Sequence, residues 1–237
     1  MHSQVVARLS PALSTLVNGS FKEAVERQTY WTHVDVQTFL CFLQYAYTGR
    51  YDCLKVTKLA DQELAEELKE CQTAEPLVNI WSETEKTKKA RQSLCDVYKS
   101  KDKSKWLNSV VKSSQTPATS RFFDLLRTQV ELFLIAHLYD ISGLSTLALD
   151  RLDGILVMFD FSEKRGINDI YKLLRTCYSR PTPSPLRRML ATHIARNLQW
   201  LWSHVCIQTF SIDYSEFGRD VLEAIVQIEL RSATSGK

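Results

Sequence analysis

The sequence predicts a mainly helical protein carrying little β-structure, and three stretches carry that expectation. Val36, Phe39, Leu40, Leu43, Ala46 and Tyr47 recur at steps of three and four, the period of one helical face. Phe122 through Leu138 is apolar around nearly its full circumference, as in a buried helix. Leu186, Leu190, Ile194, Leu198, Leu201 and Val205 form a third stripe further along.

The elements follow in chain order. His2 to Leu9 and Pro11 to Val17 read as two short helices parted at Ser10-Pro11, because proline is accepted at a helix start and not inside one. Arg27 to Val34 is the best strand candidate, with Thr29, Tyr30, Trp31, Thr32 and Val34 as β-branched or aromatic residues. Asp35 is the expected N-cap of the next helix and Gly49 its stop. Asp61 to Glu70 is an acidic amphipathic helix candidate that Pro76 closes off. From about residue 76 to residue 120 the chain is rich in lysine and then in serine and threonine. Such composition buries too little apolar surface to offset ordering entropy, so this part reads as a flexible insertion.

After the apolar helix that starts at Phe122, Ser142-Gly143 is expected to break the run. Leu144, Leu147, Ala148, Leu152, Ile155, Leu156 and Phe159 then mark a following helix. Three more are expected: Ile167 to Tyr178, Pro185 to about Val205 with Ser184 as cap, and Tyr214 to Leu230, with a frayed tail over Arg231 to Lys237. Trp200 points about 160° away from Leu198 and must meet another helix or a partner.

Composition narrows the function classes. The 237 residues are 44% hydrophobic and 24% charged, ordinary values for a folded soluble chain. A formal net charge of +3 is too small for a nucleic-acid footprint over the whole molecule. The most apolar stretch, Val130 to Ile141, is interrupted by Glu131, His137 and Asp140, so no membrane span is expected, nor does Met1 to Gly19 have the form of a signal peptide. Cys41, Cys53, Cys71, Cys95, Cys177 and Cys206 are scattered and read as reduced thiols, with Cys177 and Cys206 as small buried hydrophobes. Together these features predict a cytoplasmic or nuclear protein.

The sequence carries no recognisable site chemistry. No phosphate loop, dinucleotide fingerprint or G-x-S-x-G elbow occurs. His2, His33, His137, His193 and His204 form no pair at metal-ligand spacing. The lysine run with Tyr98 and Trp106 reads as a solvated loop, and His137 with Asp140 as a local pair on a helix. The expectation is a non-enzyme with no cofactor and no metal.

Several ordered patches resemble the BTB/POZ domain, particularly its fungal members. They are His2 to Pro11, Leu16-Val17-Asn18-Gly19 with Phe21 to Ala24, Val34-Asp35 with Phe39, Phe42 to Gly49, and Ala136 to Leu144 with Ala148-Leu149. The resemblance covers roughly Met1 to Tyr51 and Arg121 to Phe159. It implies a helical cluster with a reduced β-sheet over residues 1–159, the lysine-rich segment looping out of it, and a C-terminal helical extension over 160–237. In the family an opening strand pair precedes the histidine that matches His2. The resemblance therefore implies a truncated member with a small sheet.

The family's role implies a protein-interaction module that dimerises with itself or another BTB protein, and the charge and apolar pattern described above lead to no expected nucleic acid or membrane among its partners. Val5, Leu9, Leu13, Phe39, Tyr47 and Trp200 are the expected contact residues. The alternative is a substrate adaptor of a cullin-type ubiquitin ligase. Family adaptors use an apolar-x-acidic signature that falls here on Phe39-Leu40-Cys41, with cysteine in the acidic place.

Overall fold

The structure is a computed structural model that describes residues 2–32, 34–52, 122–158 and 164–235. The acidic helix candidate Asp61 to Glu70 and the lysine-rich insertion lie outside the described residues. Eleven helices are described: α1 Ser3–Ala7, α2 Pro11–Asn18, α3 Lys22–Glu26, α4 Val36–Thr48, α5 Phe122–Leu138, α6 Ser142–Met158, α7 Lys164–Tyr178, α8 Ser184–Arg196, α9 Leu198–Leu201, α10 Val205–Asp213 and α11 Ser215–Ser235. The chain divides into two compact units. One joins Met1–Lys55 to Asp124–Leu152, and the other contains Asp153–Lys237, so the boundary falls within α6.

In the first unit, local chemistry sets the helix ends. Ser10 accepts the Leu13 N–H at 3.2 Å and starts α2 with Pro11 in its first turn. Asp35 Oδ1 accepts the N–H groups of Gln37 and Thr38 at 3.0 and 2.9 Å, and its Oδ2 accepts the Thr38 hydroxyl at 2.7 Å. At the other end of α4, Gly49 takes the left-handed conformation at φ 70°, where a glycine carries no Cβ penalty. Burial alone would raise the Asp35 pKa. The hydrogen bonds from Thr38 and Gln37, with the charge of Arg127, outweigh it and hold the carboxyl below its ordinary value.

No strand forms among the described residues, so the reduced β-sheet expected around Arg27 to Val34 is not present there. Arg27, the first residue of that expected strand, instead ends α3 in the left-handed conformation. Trp31 then serves as an aromatic anchor. Its ring stacks on Tyr139 at 5.4 Å and meets Phe39 and Phe42 edge-on at 5.9 and 5.1 Å. The aromatic and β-branched composition that suggests a strand here supplies a side-chain wedge, and no second strand among the described residues competes for the backbone.

The chain before Asp52 and the chain after Asp124 are joined at several points. Tyr51 is fully buried, its hydroxyl donates to Gln129 Oε1 at 2.7 Å, and the Arg151 guanidinium lies 4.0 Å over its ring. The helix α5 buries Leu125, Leu126, Val130, Leu132, Phe133, Ile135 and Ala136, as expected of a helix apolar nearly all round. It stops at Asp140 rather than at Ser142-Gly143. Asp140 has φ 52°, and the Ile141 N–H reaches back to the Ala136 carbonyl at 2.7 Å, which closes the helix end. Ser142 and Gly143 open α6 instead, and the missing Cβ of Gly143 makes room for the Tyr45 hydroxyl, which would lie 2.5 Å from it.

The second unit departs from the sequence expectation at three places. The helix expected from Pro185 to Val205 is divided into α8, α9 and the start of α10. Asn197 makes the break: at φ −110° it leaves helical geometry, and its side-chain amide donates to the His193 carbonyl at 2.8 Å. Pro183 rather than Ser184 occupies the N-cap position of α8. The last helix continues to Ser235 where a frayed tail was expected. Around Phe210 an aromatic cluster forms from Tyr171, Tyr178, Tyr214 and Phe217, with ring centroids 4.3 to 6.1 Å from that of Phe210.

Two outcomes test this description. Asp35→Ala should cost about 1–2 kcal/mol in chemical denaturation through loss of the cap. Because the folded carboxyl titrates below its unfolded value of about 3.9, its contribution is complete above that pH and is lost as pH falls through the folded value. Asp35→Asn should accordingly flatten the acid limb of stability against pH. Trp31→Ala should cost about 3 kcal/mol, and Trp31→Phe, which keeps much of the ring packing, clearly less.

Candidate protein-interaction surface

The helix α4 does not turn inward the face that its periodicity singles out. Its buried residues are Thr38, Cys41 and Phe42, while Val36, Leu40 and Tyr47 are 76%, 48% and 49% exposed. At 100° per residue, Val36, Leu40 and Tyr47 fall within about 40° of one another, on the side opposite Thr38, Cys41 and Phe42. One side of the helix therefore packs into the first unit. The other presents an apolar stripe about three turns long.

The stripe is tied to the start of the described chain. The Tyr47 hydroxyl accepts the backbone N–H of His2 at 3.2 Å and lies 2.8 Å from its ring Nδ1, and the two rings meet edge-on at 6.1 Å. This clip holds α1 against the end of α4. Phe21, Val25 and Tyr30 are further exposed apolar residues of this unit.

The residues expected to meet partners are distributed unevenly. Tyr47 is exposed, Val5, Leu9 and Phe39 are half-buried, and Leu13 is wholly buried among the core residues. Phe39 spends part of its ring on Trp31. Trp200 lies in the second unit, exposed on α9, with Trp202 exposed beside it, while Phe210 and Phe217 are core. Val36 and Leu40 are exposed residues of the α4 stripe which the sequence reading does not single out as contact residues. The available signal was that α4 is apolar or aromatic over well more than half its circumference, which leaves two faces to cover and not one.

Cys41, at the third position of Phe39-Leu40-Cys41, is turned inward. Its thiol donates to the Asp52 carbonyl at 3.7 Å, and burial pushes its pKa up to about 11. Of that triplet only Leu40 stands clear of the core.

The second unit concentrates its polar chemistry in pairs within the fold. His193, buried, donates from Nε2 to Asp153 Oδ1 at 2.6 Å. Tyr178 donates its hydroxyl to Asp220 Oδ2 at 3.1 Å, and burial followed by the Asp220 charge raises its pKa, so that it acts as a donor. Arg187 pairs with Glu216 and lies 3.5 Å from Asp220. Among the described residues no group of three or more His, Cys, Asp or Glu is placed to hold a metal ion. No helix among them is long and apolar enough to cross a membrane.

The free thiols Cys41 and Cys177 are buried and Cys206 is half-buried. Comparison of the chain with protein-family models, with curated proteins and with solved structures gives no match.

The Cys41 environment gives a direct measurement. With a pKa of about 11, roughly one thiol in a thousand is ionised at pH 8, since the thiolate is the reacting form. Peptide mapping after timed iodoacetamide treatment should show Cys41 modified far more slowly than an unfolded control. Equal rates would mean that this side of α4 is open.

Proposed function

We propose that the chain is a non-catalytic protein–protein interaction module, similar to BTB/POZ domains, that pairs with a second copy or a related domain through the outer face of α4. The observation that carries this reading is the double-sided helix. Its inner side holds Thr38, Cys41 and Phe42, and its outer side leaves Val36, Leu40 and Tyr47 in water among the described residues.

An uncovered apolar stripe on a helix already fixed by its other face is the form of a preorganised contact surface. The backbone and most rotamers are set before a partner arrives, which lowers the ordering cost of association. Fully burying an exposed aliphatic side chain such as Val36 gains about 1.5–3 kcal/mol, and Leu40 and Tyr47, already half covered, gain less. The hydrogen bond to His2 gives the Tyr47 hydroxyl a partner at one end of the stripe. A helix ending in Tyr47-Thr48-Gly49, followed after a long interval by the α5–α6 pair, also accords with the resemblance in the sequence.

The test is the mass of the full chain in solution. Size-exclusion chromatography with light scattering at tens of micromolar should give a dimer. Val36→Glu with Leu40→Glu should return it to monomer without loss of helicity, because neither side chain is in the core. A wild-type chain that stays monomeric would remove self-pairing from the reading.

A further inference from the structure

In the second unit a groove of about 670 Å³ lies along α8 and α11. Five arginines line it: Arg187, Arg188, Arg196, Arg219 and Arg231. They are opposed in the lining by two carboxylates, Asp220 and Glu223. The positive charge is not neutralised evenly. Arg187 is engaged with Glu216 and Asp220, and Arg219 lies 3.8 Å from Asp220. Arg188 and Arg196 are exposed, and neither has a carboxylate partner among the described residues.

Arg188, Thr192 and Arg196 follow one another at four-residue steps on α8, which puts the backbone positions of the two arginines about 12 Å apart along the axis. Such a ladder matches carboxylates repeated along a peptide. Guanidinium forks engage carboxylates in bidentate fashion, which favours arginine over lysine for this task. At the start of α8 an adjoining cavity shares Arg187 and contains Thr182, whose buried hydroxyl has no hydrogen-bond partner among the described residues. A ligand's polar group would satisfy it.

We infer that the α8–α11 groove is a docking site for an acidic protein segment, recognised chiefly by Arg188 and Arg196. The other charges in the groove decide between a peptide and a nucleic acid. Asp220 and Glu223 interrupt the positive lining, and Glu216 stands at its edge, so an unbroken phosphate backbone would meet repulsion at each. A peptide with separated carboxylates can pair with the arginines and avoid the acids. Ala224 and Ile228 in the lining offer apolar contact to its methylene groups. This surface shares no residue with the α4 stripe, so the two proposals stand or fall separately.

The experiment uses the full chain and three fluorescein-labelled probes: a decamer with glutamate at every third position between serines (the glutamate decamer), the same peptide with glutamine at those positions (the glutamine decamer) and a short DNA duplex. Fluorescence anisotropy at about 50 mM salt should show the glutamate decamer binding, the glutamine decamer not binding, and the DNA binding more weakly than the glutamate probe. Arg188→Gln with Arg196→Gln should weaken glutamate-decamer binding by about tenfold or more. Arg8→Gln, an exposed arginine of the first unit, should leave it unchanged. Lysine at both 188 and 196 should recover part of the affinity, and matching thermal melts would show that the glutamine variant is folded. Absence of glutamate-decamer binding, an affinity unchanged by the double substitution, or DNA bound more tightly than the peptide and equally sensitive to it would overturn the inference.

Discussion

The buried phenol of Tyr51 is the constraint on which the first unit depends. It satisfies one side of Gln129 in α5, lies beneath the Arg151 guanidinium of α6, and sits three residues past the end of α4. A phenol wholly withdrawn from water needs a partner for its hydroxyl, and the Gln129 carbonyl supplies it at 2.7 Å. Around that bond the Trp31–Tyr139 stack and the Tyr45–Gly143 approach become mutually consistent. With its inner side engaged in this way, α4 can hold its outer side still in water.

How far the sequence reveals the structure depends on whether a feature is local. Asp35 and Gly49 as the ends of α4 are legible because a cap is decided within four residues. The buried character of α5 is legible because it is apolar on every side. The absence of a strand near Trp31 is not legible, because β-propensity reports a fit to a half-buried surface, and Trp31 finds that surface on aromatic side chains. The division of the helix after Arg196 escapes detection for another reason: the apolar period runs on through Leu198 and Leu201 while a single Asn197 amide competes for the backbone.

The candidate surface shows the same limit. Periodicity identifies one apolar face on α4 but cannot say which face the fold covers. Val36 and Leu40 belong to that stripe, yet Thr38 and Cys41, less apolar by composition, are the residues that go inside. Thr38 can do so because Asp35 takes its hydroxyl. Leu13 was equally plausible as a contact residue and is consumed by packing. In the second unit the polar residues are mostly spent on one another, with the Tyr178–Asp220–Arg187–Glu216 chain as the clearest case, which makes the unspent Arg188 and Arg196 stand out.

Tyr51 and Gln129 are 78 positions apart. Closing an interval of that length costs about 4 kcal/mol of chain entropy beyond a constant, roughly (3/2)RT ln n. During synthesis, α4 leaves the ribosome well before α5 exists, so until translation has advanced past Gln129 the neighbours available to its inner face are those that precede it, Trp31 among them. For that period the nascent chain leaves more apolar surface of this unit in water than the folded chain does.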